Sequence, residues 1–253
     1  MQKAEEDEAI ALQVIDLALA LRKRQPMLGC KKIYRLIKPK LTELGIKYGR
    51  DKFIDTMGRS GLLVRKRKRS KSTTMSWHEL GVSLNLLKGR SISRADEVWV
   101  SDITYLHTRD GFMYLSIVTD LHSRKILGYN IAEDMLTIRN IESLQMAVRN
   151  SKSKQGAEIH HSDRGIQYCS KEYQAILRRY KIQSSMTKGG SPEENAVAER
   201  INGILKTEFL ISDKKQTQAE CAKNVKEAIR IYNTERPHMS LNYQTPAEKY
   251  AEK

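Results

Sequence analysis

The chain has 253 residues, 45 of them basic against 30 acidic, for a formal net charge of +15. That length admits one large domain or two smaller ones with a substantial core, and 40% hydrophobic residues with only 5 prolines exclude a wholly disordered chain. So large a positive charge sets up a field that attracts a polyanion, with nucleic acid the leading partner and a ribosome-associated or merely soluble basic protein the competing reading.

The N-terminus carries Glu5, Glu6, Asp7 and Glu8 where a secretory signal would be basic. The apolar stretch at residues 10–21 is too short and too interrupted to cross a bilayer, so a cytoplasmic protein is expected. Ile10, Val14, Leu17 and Leu21 recur at helical spacing over residues 5–24, with Pro26 following. A second helix is predicted over residues 31–41, with Ile33, Leu36 and Ile37 inward. A third spans residues 50–57, with Phe53, Ile54 and Met57 inward. Three short helices with a tight connection at Gly45 suggest a helix-turn-helix over residues 1–64. Its third helix would offer Arg50, Lys52, Thr56 and Arg59 to DNA; a small bundle with solvated charges fits the same pattern.

Arg65, Lys66, Arg67, Lys68, Arg69 and Lys71 then form a basic run in a linker assigned to residues 65–94, with Arg65, Arg67 and Arg69 candidate contacts to a DNA backbone. A solvated linker is the simpler alternative, and a nuclear address signal a third. From Val98 the period changes to two, placing Trp99, Ser101, Ile103 and Tyr105 on one side and Val98, Val100, Asp102, Thr104 and Leu106 on the other. Asp110-Gly111 signals a hairpin. Residues 112–119 and 125–131 complete a three-stranded meander. Thr137 is placed to cap a helix running to Asn150. A short buried strand is expected at residues 157–160, and two long helices at residues 194–210 and 216–232. Residues 95–253 therefore read as an α/β unit, a mixed sheet with helices on its faces. Cys30, Cys169 and Cys221 are far apart and in no CxxC pair, which fits a reducing compartment and neither a disulfide framework nor a structural zinc site.

Three carboxylates stand out. Asp102 interrupts an apolar strand, Asp163 follows a strand's C-terminal end, and Glu199 lies on a helix among Ala196, Val197, Ala198 and Ile201. Each has an ordinary reading: an edge Asp facing water, a turn Asp, a solvated helical Glu. Together, in a basic protein, three carboxylates can hold divalent magnesium, and two such ions support in-line phosphoryl transfer without a nucleophilic side chain. The chain offers no nucleophile elbow, and Gly189-Gly190 lacks the lysine and hydroxyl residue of a phosphate-cradling loop. Lys188, Arg200 and Lys206 are candidate phosphate contacts. His160 and His161 adjoin the site but point to opposite faces of a strand, and a structural use is favoured for both.

Residues 164 to 198, thirty-five in all, separate Asp163 from Glu199. With that spacing, Val100-Ser-Asp-Ile-Thr-Tyr-Leu106, His161-Ser-Asp-Arg-Gly-Ile-Gln-Tyr168 and Asn195-Ala-Val-Ala-Glu199 resemble the signatures of DDE transposases and retroviral integrases. The tail Tyr232-Asn-Thr-Glu-Arg-Pro-His238, with Leu241 and Thr245-Pro246, is similar to the end of bacterial insertion-sequence transposases made from two overlapping reading frames, as their second product. The resemblance covers nearly the whole chain. It implies a ribonuclease-H-like core preceded by the helix-turn-helix, with Asp102, Asp163 and Glu199 as catalytic metal ligands. Asp102 would bridge two Mg²⁺ ions, which Mn²⁺ can replace, and Asp163 and Glu199 would each complete one. It also implies cleavage at the ends of a mobile element with joining of 3′ ends to target DNA, double-stranded DNA as partner, a homo-oligomer on DNA, an upstream-frame product or fusion, and a bacterial cytoplasmic location with nucleoid association.

The chain departs from the family's usual residues at Gly190-Ser191-Pro192, Glu194-Asn195, Arg200 and Asn202. The last two are expected to bear on DNA contacts more than on metal binding. A catalytically silent or domesticated DNA-binding relative is the alternative; the presence of all three carboxylates weighs against it. A retroviral-type integrase would need paired His and Cys ahead of Trp99, where only His78 and Cys30 occur. A plain ribonuclease H would not need the N-terminal helices.

Overall fold

The computed structural model describes residues 2–64, 81–153, 155–188 and 195–252. The basic run containing Arg65, Arg67 and Arg69, and the Gly190-Ser191-Pro192 and Glu194 positions, lie outside the described residues.

The chain opens with helices α1 (Gln2–Arg22), α2 (Cys30–Glu43) and α3 (Arg50–Arg59). Their shared core is spaced as helices require: Val14 and Ala18, then Ile33, Ile37 and Leu41, then Phe53 and Met57, each four apart and buried around Leu28. Gly45 adopts φ +68 after α2, and the Ile46 amide donates back to the Leu41 carbonyl at 2.8 Å, a left-handed stop that turns the chain toward α3.

The second unit is a five-stranded mixed sheet in the order β3-β2-β1-β4-β5. Strands β1 (Val98–Thr108), β2 (Gly111–Asp120) and β3 (Ile126–Ala132) form the antiparallel meander, while β4 (Ile159–Ser162) and β5 (Gln183–Met186) run parallel beside β1. The strict alternation of β1 sorts its side chains between two cores. Trp99 and Val118 face α4 (Thr137–Asn150), α5 (Ile166–Cys169) and α6 (Lys171–Arg179). Leu106, Leu115 and Ile117 face α7 (Ala196–Glu208) and α8 (Gln218–Thr234). Gly128 lets β3 approach α4: a Cβ there would stand 2.0 Å from the Ser143 carbonyl oxygen and 2.6 Å from the Ala147 nitrogen.

Several boundaries differ from the sequence expectation. Leu136, not Thr137, is the residue ahead of α4, and no side-chain cap bond forms there. The fourth strand begins two residues later than expected, so Asp163 directly follows it. The strand β5 and the short helices α5 and α6 were not anticipated; β5 is only four residues long, with two serines, and shows no hydrophobic alternation. Residues 83–86, in the stretch expected as linker, run along the outer edge of β5. The Leu86 amide donates to Ser185 Oγ at 2.9 Å and the Ser83 hydroxyl to Ser184 Oγ at 2.9 Å, which covers an edge that would otherwise be open.

The C-terminal segment closes the fold with buried polar contacts. Tyr250, on α9 (Pro246–Ala251), donates to the Asp96 carboxylate at 2.8 Å, and Trp99 Nε1 donates to the same carboxylate at 3.0 Å. No helix among the described residues is long and apolar enough to cross a membrane.

Candidate active site

The last paired row of β1 and β4 is Val100 opposite His161. Asp102 and Asp163 each lie two residues beyond that row, so the register sets both carboxylates at the same depth where the two parallel strands diverge. Crevices of this kind, at the carboxyl ends of parallel strands, are where open α/β sheets place ligands. Beyond Val100 the edge of β1 that faced β4 is vacated, and α7 packs against β1, bringing Glu199 in its first turn and Asn202 one turn later.

Asn202 Nδ2 donates to Asp102 Oδ2 at 2.9 Å. Asn195, immediately ahead of α7, donates from Nδ2 to the Ser101 carbonyl at 3.1 Å, so two amides fix the start of this helix to the strand that carries Asp102. Burial pushes the Asp102 carboxyl up to about 7; the Asn202 amide opposes that rise, and the Asp163 and Glu199 carboxylates add to it. Burial likewise raises Asp163, whose Oδ1 accepts the Gly165 amide at 2.9 Å. Glu199 is exposed. The sequence expectation treated Asn202 as a matter of DNA contacts. The structure places its amide on the Asp102 carboxylate, a role that its position three residues after Glu199 on a helix could have signalled.

The donor set suits a hard divalent cation, since it consists of carboxylate oxygens, and Asp163 and Glu199 add to the rise that burial imposes on Asp102. Asn202 Oδ1 is also buried there without a hydrogen-bond partner. Among the described residues, however, no three His, Cys, Asp or Glu side chains stand close enough to hold one ion. Asp163 and Glu199 lie near enough to raise Asp102 electrostatically, without the three forming a closed ligand shell.

The two histidines, for which the sequence favours a structural use, are both buried. His160 Nε2 lies 2.7 Å from Ser101 Oγ and 2.9 Å from the Tyr173 hydroxyl, and burial, then His161, drives its pKa down to about 3. His161 Nδ1 lies 2.8 Å from Ser185 Oγ. Of the candidate DNA contacts, Lys206 is half-buried and its ammonium sits 4.7 Å from the Tyr105 ring centroid; Arg200 and Lys188 are exposed. Arg50 and Lys52 are exposed on α3 and remote from the carboxylates in sequence. Arg50 Nε pairs with Asp51 at 2.8 Å and Lys52 with Asp7 at 3.2 Å.

The tail signature has a structural use that sequence did not disclose. Asn233 exchanges hydrogen bonds with the backbone of Ile126, donating to its carbonyl at 2.8 Å and accepting from its amide at 3.0 Å. Arg236 is buried and grips Glu208, the last residue of α7, with Nε and Nη2 both at 2.8 Å. Lys32 of α2 reaches the same carboxylate at 3.0 Å, so this one group joins the helix that bears Glu199, the tail and the N-terminal helices.

Comparison with known proteins agrees with this layout. Two family models, each described as integrase core domain, match residues 92–192 and 180–246. An uncharacterized 31 kDa protein of insertion element IS600 from Shigella sonnei is 34% identical over 221 residues, covering 85% of this chain and 81% of that protein. The transposase of insertion sequence IS904 from Lactococcus lactis is 34% identical over 178 residues, covering 64% of this chain and 70% of its own length. The IS3A transposase of Escherichia coli is 35% identical over 156 residues, covering 61% and 54%. Among solved structures, the HTLV-2 integrase catalytic core domain in complex with magnesium superposes with TM-score 0.50 at 16% identity, covering 62% of this chain and 97% of that one. A simian T-cell lymphotropic virus intasome gives TM-score 0.55 at 17% identity, covering 89% and 75%. These two likenesses establish the ribonuclease-H-like fold. The identity shared with the insertion-sequence proteins over most of both chains goes further: the chain belongs to the bacterial insertion-sequence DDE transposases and is a DNA transposase, a polynucleotidyl transferase.

Proposed function

We propose that Asp102, Asp163 and Glu199 are the catalytic carboxylates of this transposase and hold two divalent ions, Mg²⁺ or its substitute Mn²⁺. They would serve to cut DNA at the ends of a mobile element and join the freed 3′ ends to target DNA. The observation that carries the assignment is the matched position of Asp102 and Asp163 two residues past the last β1–β4 row, with α7 tied to Asp102 through Asn202. When bound, such ions activate a water or 3′ hydroxyl and neutralise the leaving oxygen. The protein's own contribution is placement. Strand β1 fixes Asp102, and the Gly165 amide orients Asp163. Asn202 favours the charged form of Asp102, the form a cation needs. Closing the three carboxylates around an ion would require a local rearrangement among them, of the kind catalytic groups undergo when substrate and metal bind.

Lys188, Arg200 and Lys206 would meet phosphates beside the reacting bond, and Arg50 and Lys52 of the helical N-terminal unit, with Arg65, Arg67 and Arg69 of the linker, would hold the duplex at a distance from it. Double-stranded DNA, a homo-oligomer assembled on it, an upstream-frame partner or fusion, and a cytoplasmic, nucleoid-associated location belong to the same reading. The test is strand cleavage and joining by purified protein, with and without metal. Asp102→Asn, Asp163→Asn and Glu199→Gln should each abolish both activities while leaving salt-sensitive DNA binding intact. Wild-type turnover in any one of them refutes the assignment.

A further inference from the structure

Past Asp102, β1 carries a second feature that the carboxylates do not use. Tyr105 and Phe112 are each 49% exposed and meet edge to face at 5.8 Å between centroids. His107 lies 5.6 Å from Tyr105 and 5.0 Å from Phe112, so three rings form one cluster at the turn end of the β1–β2 hairpin. Rings of this size usually contribute to a core. These three pack on one another at the surface, and they carry cations at their margin. The Lys206 ammonium lies over the Tyr105 ring. The His107 amide donates to Ser212 Oγ at 3.0 Å, which brings the exposed Lys214 and Lys215 to the hairpin tip. The carboxylates at that tip, Asp110 and Asp213, accept backbone amides from Gln218 and Lys215.

The cluster is continuous with the carboxylates. On α7, Glu199, Asn202 and Lys206 follow at intervals of three and four, one stripe of the helix. Asn202 touches Asp102 on one face of β1 and the Lys206 side chain reaches Tyr105, whose ring belongs to the other face, so α7 is the element that links the reacting centre to the rings. Exposed aromatic faces flanked by lysines are how proteins hold unpaired nucleotides: bases stack on the rings while ammonium groups meet phosphates. We propose that Tyr105, His107 and Phe112, with Lys206, Lys214 and Lys215, form a stacking platform for unpaired nucleotides of the DNA strand leading away from the scissile phosphate. A duplex presents no free base faces to such a surface, so the platform favours ends that are splayed open. The inference rests on the assignment of Asp102, Asp163 and Glu199 for its direction, but its binding prediction is independent of chemistry.

The test uses the full chain in the presence of EDTA and two labelled probes, a fully paired duplex and the same duplex ending in a few unpaired nucleotides, one of them 2-aminopurine. Wild-type protein should bind the splayed probe more tightly and quench the 2-aminopurine. Tyr105→Ala and Phe112→Ala should each weaken splayed binding about tenfold, at least five times more than they weaken paired binding, and should relieve the quenching. Tyr105→Phe should keep both, whereas Tyr105→Leu, apolar but without a π face, should not. Equal losses on the two probes, persistent quenching in Tyr105→Ala, or a change of oligomeric state as the sole effect of these variants would overturn the proposal. Normal cleavage by Asp102→Asn alongside the predicted binding split would refute the catalytic assignment alone.

Discussion

Glu208 is the residue whose removal should cost this fold most for the smallest chemical change. Its carboxylate accepts four hydrogen bonds: two from Lys32 Nζ at 3.0 and 3.1 Å and a fork of two from Arg236 at 2.8 Å. The side chains are 15% exposed for Glu208, 12% for Lys32 and 2% for Arg236. Glu208→Gln leaves two cations facing each other with no anion between them, and breaking a buried ion pair by removing one partner costs about 3–5 kcal/mol. At about 2–4 °C per kcal/mol for a chain of this size, the melting temperature should fall by roughly 10 °C. Lys32→Met should cost less than about 1 kcal/mol, because the Arg236 fork survives and burial, with the Arg236 charge, already drives the Lys32 pKa down to about 8. The two partners' shifts disagree in sense, Glu208 being held below the ordinary carboxylate value while Lys32 is also lowered. Burial, and then the Arg236 charge, lower Lys32 by more than Glu208 raises it, while Glu208 is held down chiefly by the planar Arg236 fork. A depressed Glu pKa contributes stability that is present above the unfolded value of about 4.3 and is lost as pH falls through the folded one. Urea unfolding of the wild type and both variants from pH 7 down to pH 3 should therefore show a gap for Glu208→Gln that is wide at neutral pH and narrows in acid. A Glu208→Gln loss no larger than that of Lys32→Met at pH 7 would refute the reasoning.

Three further outcomes are expected. Asn202→Leu removes the amide on Asp102 and, by analogy with other residues that orient metal ligands, should lower metal-dependent cleavage about 10- to 100-fold with a weaker metal dependence, read from turnover against Mg²⁺ concentration. Gly128→Ala forces a methyl into the β3–α4 contact and should destabilise by about 3 kcal/mol or fail to fold, which far-ultraviolet circular dichroism and urea titration decide. His160, with a folded pKa near 3 against an unfolded value of about 6.5, stays neutral in the native state. Its contribution is full above about pH 6.5 and declines as pH falls below that value, because only the unfolded chain takes up the proton. Imidazole resonances that remain those of a neutral ring at pH 5 bear this out, and a His160 titrating near 6.5 in the folded protein refutes it.

How far the sequence disclosed this structure depended on the physics each feature uses. Helical spacing in α2 and α3 and the two-residue period of β1 come from one face being apolar, a property written residue by residue, and these elements were legible; α1 was legible from the recurrence of Ile10, Val14, Leu17 and Leu21, although Leu12 and Leu19 lie exposed on its other sides. Strand β5 was not, because Gln183-Ser-Ser-Met186 takes its place from pairing with β4 and from residues 83–86, with no side-chain pattern of its own. Asp102 was visible as a charge inside an apolar strand, but its match with Asp163 was not, since parallel register is a property of two distant segments. The Glu208 cluster and the contact of Tyr250 with Asp96 join residues 28 and 154 positions apart or more, and no local rule reveals which charge meets which.

The same contrast bears on why Asn202 and Lys206 belong to one argument. Both lie on the stripe of α7 that Glu199 begins, and each touches a residue of β1, one the carboxylate and the other the ring three residues on. A helix held to its neighbours at both ends, by Asn195 on Ser101 at the start and by Glu208 on Arg236 at the finish, cannot slide along the strand without breaking one or the other. Any movement of Glu199 that helps to close the carboxylates on an ion would therefore be more easily a rotation or local repacking of the first turn than a translation of the whole helix. Weakening the Glu208 anchor should then loosen the register between carboxylate and platform together, so Glu208→Gln is expected to impair cleavage more than duplex binding even at temperatures where it remains folded.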